Sequence, residues 1–197
     1  MNNNKTKNLT LLSLFIAIEI LMANVPFLGF IPIGPLRATT LHIPVIIAGI
    51  VLGKDKGAII GLVFGFCSLI TATVSPTATS FVFSPFMSGS FFSVIVAIVP
   101  RVCIGYVSGF IYEHIKKKNE LTGMALGSFL GAMTNTVLVM AGIYFLFGNT
   151  YAQTLGMSLK ELLPYIITIV TTQGLLEAIV GSIISVVVCK VLVKIVK

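Results

Sequence analysis

The stretch SPFMSGSFFSVIVAIVPRVCIGYVSGFIYE, residues 84–113, decides the fold because it places one arginine inside a long apolar run. Phe, Val, Ile and Ala dominate the residues before Arg101, and a comparable run follows it to Tyr112. A guanidinium at the centre of a bilayer costs about 2.5–3.5 kcal/mol on insertion scales and about 10–17 kcal/mol in simulations of isolated helices. We therefore expect Arg101 to face a protein interior or a watered cavity, paired with either a protein carboxylate or an anionic ligand.

The composition is that of an integral membrane protein. Of the 197 residues, 56% are hydrophobic and only 10% are charged, and the mean hydropathy is +1.06. A soluble domain carries about 25% charged residues. The net charge of +7 does not indicate nucleic-acid binding here, because the lysines lie in short turns between apolar runs. The length suits a single membrane domain over residues 1–197, with the lipid bilayer as its surroundings.

Six apolar segments are long enough, or nearly long enough, to cross the hydrocarbon layer, which takes about 20 residues of helix. Three longer connections, at 28–40, 77–89 and 148–158, are rich in Pro, Gly, Thr or aromatic residues. We predict an all-α protein with six transmembrane helices and long outer loops over a ligand cavity. The predicted spans are Leu9–Phe27, Leu41–Gly53, Gly57–Val74, Ser90–Tyr112, Leu121–Phe147 and Leu162–Val193.

The distribution of basic residues predicts the orientation. With six spans, one side of the membrane holds only Arg37 and Lys160. Cytoplasmic loops carry the excess of Lys and Arg, so both termini are predicted to be cytoplasmic and the long connections to face outward. The residues on the predicted cytoplasmic side are Lys5, Lys7, Lys54, Lys56, Lys116, Lys117, Lys118, Lys190, Lys194 and Lys197.

Besides Arg101, four polar side chains are predicted at membrane depth. Small residues accompany most of them at helical spacing, and such residues line faces where membrane helices approach closely. We therefore expect Arg101, Asn135, Gln173 and Glu177 to converge on one interior volume. Two interpretations stay open: a ligand cavity, or an Arg101–Glu177 salt bridge with Asn135 as a link between helices. The four side chains are Glu19, Asn135, Gln173 and Glu177.

The outer connections bring further candidates for ligand contact toward the same end. A cavity with a few polar groups and aromatic neighbours is typical of a small-molecule site. For the aromatic residues, anchoring at the membrane interface is the alternative. For His42, which follows two capping threonines, a hydrogen-bonded structural role is the alternative. These candidates are Thr39, His42, Thr79, Ser80, Phe83 and Phe86.

Nothing in the sequence indicates catalysis. There is no Ser/His/Asp order, no His-Glu-x-x-His and no Cys–His pair at membrane depth. The stretch Gly49–Asp55 has the wrong spacing for a phosphate loop, with Asp55 where Ser or Thr must hold magnesium. We therefore expect no enzyme activity, no cofactor, no metal and no use of ATP by this chain itself.

Several short motifs, in order, resemble the substrate-binding S components of energy-coupling factor (ECF) vitamin transporters, most of all the pantothenate-type branch. The resemblance covers nearly the whole chain and agrees with the six-span layout. The motifs are PLRATTLHIPV at 35–45, Leu52-Gly53 with Gly57, SFVFSPF at 80–86, Pro100-Arg101 and Thr134-Asn135-Thr136.

The resemblance implies a membrane subunit that binds a vitamin at its outer face and topples in the bilayer to release it. It implies three partners, a transmembrane coupling subunit and two cytoplasmic ATPases. Family members dock through an Ala-xxx-Ala motif on the first helix, and the matching positions here are Ser13 and Ala17. Serine also permits close helix approach. By the same resemblance, Arg101 and Asn135 are expected to touch substrate.

Pantothenate is the favoured ligand, since its carboxylate suits Arg101 and its amide and hydroxyls suit Asn135, Gln173 and the loop threonines. A flavin or pterin would call for more aromatic stacking, and the chain has no Trp. Riboflavin, folate or cobalamin remain alternatives for the same role. The other classes are a self-sufficient secondary carrier, a membrane-embedded enzyme and a membrane scaffold.

Overall fold

The computed structural model describes the backbone of residues 3–25, 28–33 and 36–196, and the side chains of 6–25, 28–29 and 39–196. The described chain is helical apart from one short hairpin, which confirms the predicted class. Five of its helical stretches are long and apolar enough to cross a membrane, and a shorter apolar helix joins them. The chain is therefore a multi-pass membrane protein. The long stretches are Thr6–Asn24, Lys54–Val74, Phe92–Ile115, Glu120–Thr154 and Leu159–Val196.

The elements follow one another with short connections, and their bounds are close to the predicted spans. A 3₁₀ turn, Ser80–Val82, lies between α3 and α4, and a π-helical turn, Val170–Gly174, joins α7 to α8. The predicted end of the first span at Phe27 lies outside the described residues. The remaining elements are α1 (Asn3–Asn24), β1 (Phe30–Ile33), β2 (Leu36–Thr39), α2 (His42–Leu52), α3 (Lys54–Val74), α4 (Pro85–Ser88), α5 (Phe92–Ile115), α6 (Glu120–Thr154), α7 (Leu159–Ile169) and α8 (Leu175–Val196).

The connection at 28–40, predicted only to be non-helical, contains an antiparallel hairpin. Strand β1 pairs with β2 so that Phe30 lies opposite Thr39 and Ile33 opposite Leu36. The Thr39 hydroxyl donates a hydrogen bond to the carbonyl of Gly29, at 3.1 Å, which ties the end of the hairpin to its beginning. The hairpin thus delivers Thr39 to the start of α2.

Several helices differ from their predicted spans, and α1 and α3 begin at Asn3 and Lys54, before the predicted Leu9 and Gly57. Helix α6 continues to Thr154, about two turns beyond the predicted end at Phe147, so part of the predicted 148–158 connection is helical. Its extension is held by packing, because Phe147 and Tyr151 are buried against Phe81. The predicted sixth span begins earlier, at Leu159, and contains the π turn in its middle.

Glycines bring α2, α3 and α5 into backbone contact at the centre of the molecule. A Cβ atom on Gly105 would overlap the backbone of Gly57, and one on Gly49 would overlap the carbonyl of Gly105. A Cβ on Gly61 would overlap the carbonyl of Arg101 in the same way. Small residues permit this approach in membrane helices, where dispersion contacts replace the hydrophobic effect as the main attraction. The close contact between α3 and α5 fixes the backbone from which Arg101 projects.

The lysine-bearing ends of the described helices lie together. The Lys7 ammonium donates a hydrogen bond of 2.8 Å to the carbonyl of Val196, which joins the beginning of α1 to the end of α8. The Tyr112 hydroxyl donates to Glu120 at 2.9 Å across the turn between α5 and α6. Lys54, at the start of α3, lies over the ring of Tyr106. These contacts join helix ends that the charge pattern predicts to lie on the same side of the membrane, the cytoplasmic one.

Helix α1 is the least embedded of the long helices. In its most apolar window only 11% of the residues are buried, against 44% for the corresponding windows of α3 and α5. Its inner face carries Phe15 and Glu19, which are buried. Ser13 and Ala17 are exposed, one turn apart on the opposite face. The two predicted docking residues therefore lie on a surface that the chain itself leaves uncovered.

Candidate ligand-binding cavity

A cavity lies between the helices near the end of the bundle opposite to the one that carries Lys7, Lys54 and Lys116. It offers about 110 Å³ of space to the centres of water-sized molecules, which is several times what one water needs. Helices α3, α5, α6, α7 and α8, the π turn, the 3₁₀ turn and β2 contribute to its wall. The residues that line it are Thr39, Ser68, Thr71, Ala72, Thr77, Thr79, Ser80, Val82, Phe83, Arg101, Asn135, Thr136, Val139, Met140, Ile143, Tyr151, Ile169, Gln173, Gly174 and Glu177.

Arg101 projects from the middle of α5 into this cavity and is 6% exposed. One of its terminal nitrogens donates a hydrogen bond of 2.9 Å to the carbonyl of Val96, one turn earlier. Its Cζ atom lies 4.9 Å from the ring centroid of Phe83 and 5.4 Å from that of Phe64. A guanidinium over an aromatic face gains from the ring quadrupole, so the two rings hold the group in place.

No carboxylate of the described residues forms an ion pair with Arg101. Its one hydrogen bond goes to a backbone carbonyl, and its Nε is buried with no hydrogen-bond partner. The Arg101–Glu177 salt bridge that the sequence left open is therefore not formed. A charge without a counterion in an apolar interior is costly, and this one faces a cavity large enough for an anionic group.

Glu177 has a different partner. The side-chain amide of Gln173 donates to its Oε1 atom at 2.8 Å, one turn earlier on the same helix. The π turn that contains Gln173 ends at Gly174, where a Cβ atom would lie 2.6 Å from the Cγ2 atom of Thr136. Glycine thus lets this turn pack against α6, and the turn presents Gln173 and Glu177 to the cavity. Single π turns inside α-helices are frequent at functional sites.

Four polar atoms of the cavity wall are buried without a hydrogen-bond partner among the described residues. They are Arg101 Nε, Asn135 Oδ1, Ser68 Oγ and Tyr151 Oη. More than nine-tenths of buried polar groups in folded proteins have a partner, so four in one wall need an explanation. The Arg101 nitrogen can only donate a hydrogen bond, the Asn135 oxygen can only accept one, and the two hydroxyls can do either. This set matches a ligand with several different polar groups.

Eight of the ten predicted ligand-contact residues line the cavity, and two do not. Phe86 is 81% exposed, which agrees with the alternative of an aromatic anchor at the membrane interface. His42 is buried, with its ring against Gly181 of α8, and it does not line the cavity. Glu19, the fourth predicted polar group at depth, is fully buried on α1 with both oxygens unpartnered, and it also lies outside the cavity wall. Those that line the cavity are Thr39, Thr79, Ser80, Phe83, Arg101, Asn135, Gln173 and Glu177.

The cavity wall also contains polar residues that the sequence reasoning missed. Ser68, Thr71 and Thr136 look like ordinary polar residues of an apolar helix, but Ser68 and Thr71 lie on the α3 face that meets Arg101. Tyr151 was assigned to a connection. A signal existed for Thr136, which is next to the predicted Asn135. None existed for Tyr151, because its position depends on the unpredicted extension of α6.

Comparison with known proteins identifies the family. The sequence model of the family described as "ECF transporter, substrate-specific component" matches residues 7–189. The pantothenic acid transporter PanT of Lactococcus lactis subsp. cremoris is 38% identical over 193 residues, covering 94% of this chain and 93% of that protein. The pantothenate transporter PanT of Leuconostoc mesenteroides subsp. mesenteroides is 32% identical over 205 residues, covering 99% of this chain and 96% of that protein.

These matches extend over nearly the whole length of this chain and of both relatives. The motifs that suggested the family, the helical architecture and an internal cavity at one end of the bundle all agree with it. This chain belongs to the family of substrate-specific components of ECF transporters.

Proposed function

We propose that this protein captures pantothenate from outside the cell and delivers it to an ECF transporter for uptake. The observation that carries the proposal is the buried guanidinium of Arg101, which faces the cavity without a counterion among the described residues. Charge-assisted hydrogen bonds are stronger than neutral ones, and a guanidinium can hold both oxygens of a carboxylate. The names of the two relatives support pantothenate as the anion.

The rest of the cavity suits the rest of this ligand. Pantothenate carries an amide and two hydroxyls, for which the unpartnered Asn135 and Tyr151 and the Gln173–Glu177 pair offer acceptors and donors. Its two methyl groups need an apolar surface, which the cavity provides through Val82, Val139, Met140, Ile143 and Ile169.

The proposed orientation has six membrane crossings with both termini in the cytoplasm. The hydrogen bond between Lys7 and Val196 supports it, since it places the beginning of α1 and the end of α8 at one face and so requires an even number of crossings. The five long helical stretches reach that number when the short α2 is counted. The lysine-bearing face is then cytoplasmic, and the cavity opens to the outside.

The proposed partners are a transmembrane coupling subunit and two cytoplasmic ATPases. Their docking surface is the exposed face of α1 around Ser13 and Ala17. Both residues are small, and small residues spaced four apart allow two membrane helices to approach closely. The low burial of α1 leaves room for a partner helix along most of its length.

Thermal unfolding of the purified protein against a panel of vitamins tests the substrate. A ligand that binds only the folded state raises the apparent stability, by about 2.7 kcal/mol at a hundredfold excess over Kd. We expect pantothenate to raise the unfolding temperature and riboflavin, folate and cobalamin to leave it unchanged. Stabilisation by another vitamin and not by pantothenate would overturn the assignment of the substrate.

Replacing Tyr151 by phenylalanine should weaken pantothenate binding by about 2- to 12-fold, the value of a typical net hydrogen bond of about 0.5–1.5 kcal/mol. The stability of the ligand-free protein should not fall, because the lost hydroxyl has no hydrogen-bond partner in the part of the chain that the structure describes. Tyr144→Phe is the matched control, since Tyr144 is on the same helix and does not line the cavity. Isothermal titration checks the affinities. Equal affinities for Tyr151→Phe and the wild type would remove Tyr151 from the site.

A further inference from the structure

The described wall of the cavity contains two charged side chains, which have opposite signs. Among the described residues that line the cavity, Arg101 is the only cation and Glu177 the only carboxylate. They do not pair with each other, because Arg101 bonds to the carbonyl of Val96 and Glu177 to the amide of Gln173. A ligand therefore meets one cationic and one acidic group at separate places.

The two groups also belong to separate parts of the wall. Arg101 lies between the rings of Phe64 and Phe83, on the α3, α5 and 3₁₀-turn side. Glu177 is in the first turn of α8, with the backbone of Thr39 against its carboxylate. A ligand that places an anionic group at Arg101 thus extends its other end among groups that include a carboxylate.

This arrangement discriminates by the number of charges on the ligand. A first anionic group is matched by Arg101. A second one would find no cation among the described lining residues, and burying an unpaired charge is strongly unfavourable. Near Glu177, a second anionic group of the ligand would be repelled by the carboxylate if Glu177 is ionised. If Glu177 is protonated, that anionic group still has no cation to pair with in the described wall.

Hydrogen-bond chemistry points the same way. An ionised carboxylate only accepts hydrogen bonds, and Gln173 already donates to one of its oxygens. Ligand hydroxyls can donate to Glu177, so they complete its environment. A phosphate dianion presents only acceptor oxygens, so it cannot donate to an ionised Glu177 and is repelled by its charge.

We propose that Glu177 restricts this cavity to ligands with a single anionic group, so that phosphorylation of a ligand hydroxyl abolishes binding. This inference rests on the proposed function, because it takes the ligand carboxylate to lie at Arg101. It assigns Glu177 a role in specificity: the carboxylate accepts the hydroxyl end of the substrate and rejects its phosphate ester.

The test compares two ligands on two proteins. Affinities for pantothenate and for pantothenate phosphorylated at its primary hydroxyl are measured by titration calorimetry on the purified wild type and on Glu177→Gln. Glutamine keeps the shape and an oxygen that can accept from Gln173, so the variant should fold, which its unfolding temperature checks. We expect the wild type to prefer pantothenate at least a hundredfold, and Glu177→Gln to reduce that preference at least tenfold.

Glu113→Gln is the matched control, because it is the same substitution at the lysine-bearing end, outside the cavity wall. Its preference should equal that of the wild type. If the wild type binds both ligands equally, or if Glu177→Gln keeps the full preference, the inference is overturned while the proposed function stands. Absence of pantothenate binding by the wild type would instead overturn the proposed function, and this inference with it.

Discussion

Replacing Arg101 by alanine should lower the affinity for pantothenate by about 30- to 5,000-fold. Truncating one partner of a buried, hydrogen-bonded charge pair costs about 2–5 kcal/mol, which corresponds to that range. The affinity of Arg101→Lys should lie between those of the wild type and Arg101→Ala. Lysine keeps the charge but lacks the planar guanidinium that can bind both carboxylate oxygens. Titration of the purified variants measures the order, which we expect to be arginine above lysine above alanine.

An uncharged ligand provides the control for this experiment. Pantothenyl alcohol has a hydroxymethyl group where pantothenate has its carboxylate. It should bind the wild type weakly, and Arg101→Ala should change its affinity much less than that of pantothenate. An equal loss for both ligands would mean that the substitution acts on the shape of the cavity and not on a carboxylate contact.

The stability of the variants separates ligand contact from a structural role. Since no described carboxylate pairs with Arg101, Arg101→Ala should leave the ligand-free protein folded, with only the small loss that comes from its hydrogen bond to Val96 and its contacts with the rings. If Arg101 instead served to neutralise Glu177, Arg101→Ala would destabilise the fold and the added Glu177→Ala would rescue it. Rescue of both the fold and full pantothenate affinity in that double variant would contradict the ligand-contact assignment.

Replacing Ala17 by leucine should abolish transport and leave pantothenate binding intact. The residue lies on the exposed face of α1 and is not part of the cavity wall, so the larger side chain has room beside the residues that the structure describes. It would separate α1 from a partner helix, since close approach requires small residues on both sides. Uptake in proteoliposomes that contain the complete transporter, with titration of the isolated subunit in parallel, measures both properties.

Ala125→Leu is the matched control for that experiment. Ala125 is exposed on α6, so the same substitution adds the same apolar bulk at a different surface, and transport should continue. Normal uptake with Ala17→Leu would refute the docking assignment. Vesicles that contain this chain alone should accumulate no pantothenate, and robust uptake there would favour a self-sufficient carrier.

The apolar periods of the sequence predicted most of the helical architecture. Long runs such as the one around Arg101 have to become helices in a bilayer, where the backbone has no water to bond. The hairpin could not be predicted in the same way, because 28–40 combines apolar residues with Pro and Gly and shows no clear period. The extension of α6 was missed since Gly148 and Asn149 are weak helix formers, and tertiary packing by Phe147 overrides that preference.

The sequence predicted those residues of the candidate site that are polar and lie in the middle of an apolar span. Arg101, Asn135 and Glu177 stand out because a charge or amide at membrane depth needs a reason. Tyr151 does not stand out, because a tyrosine near a membrane interface is ordinary. The absence of an Arg101–Glu177 pair was also beyond the sequence, because it depends on which way each side chain turns across the same cavity.

The shortness of α2 sets how far a substrate travels before it is bound. With 11 residues, α2 covers at most about 16 Å of a hydrocarbon layer about 30 Å thick. The hairpin of β1 and β2 leads into the start of this short helix. Thr39, at the hairpin's inner end, lines the cavity. In the orientation that we propose, a vitamin held against Thr39 lies beside this short helix and so already within the bilayer, which leaves the proposed ATP-driven step less than the full thickness to complete.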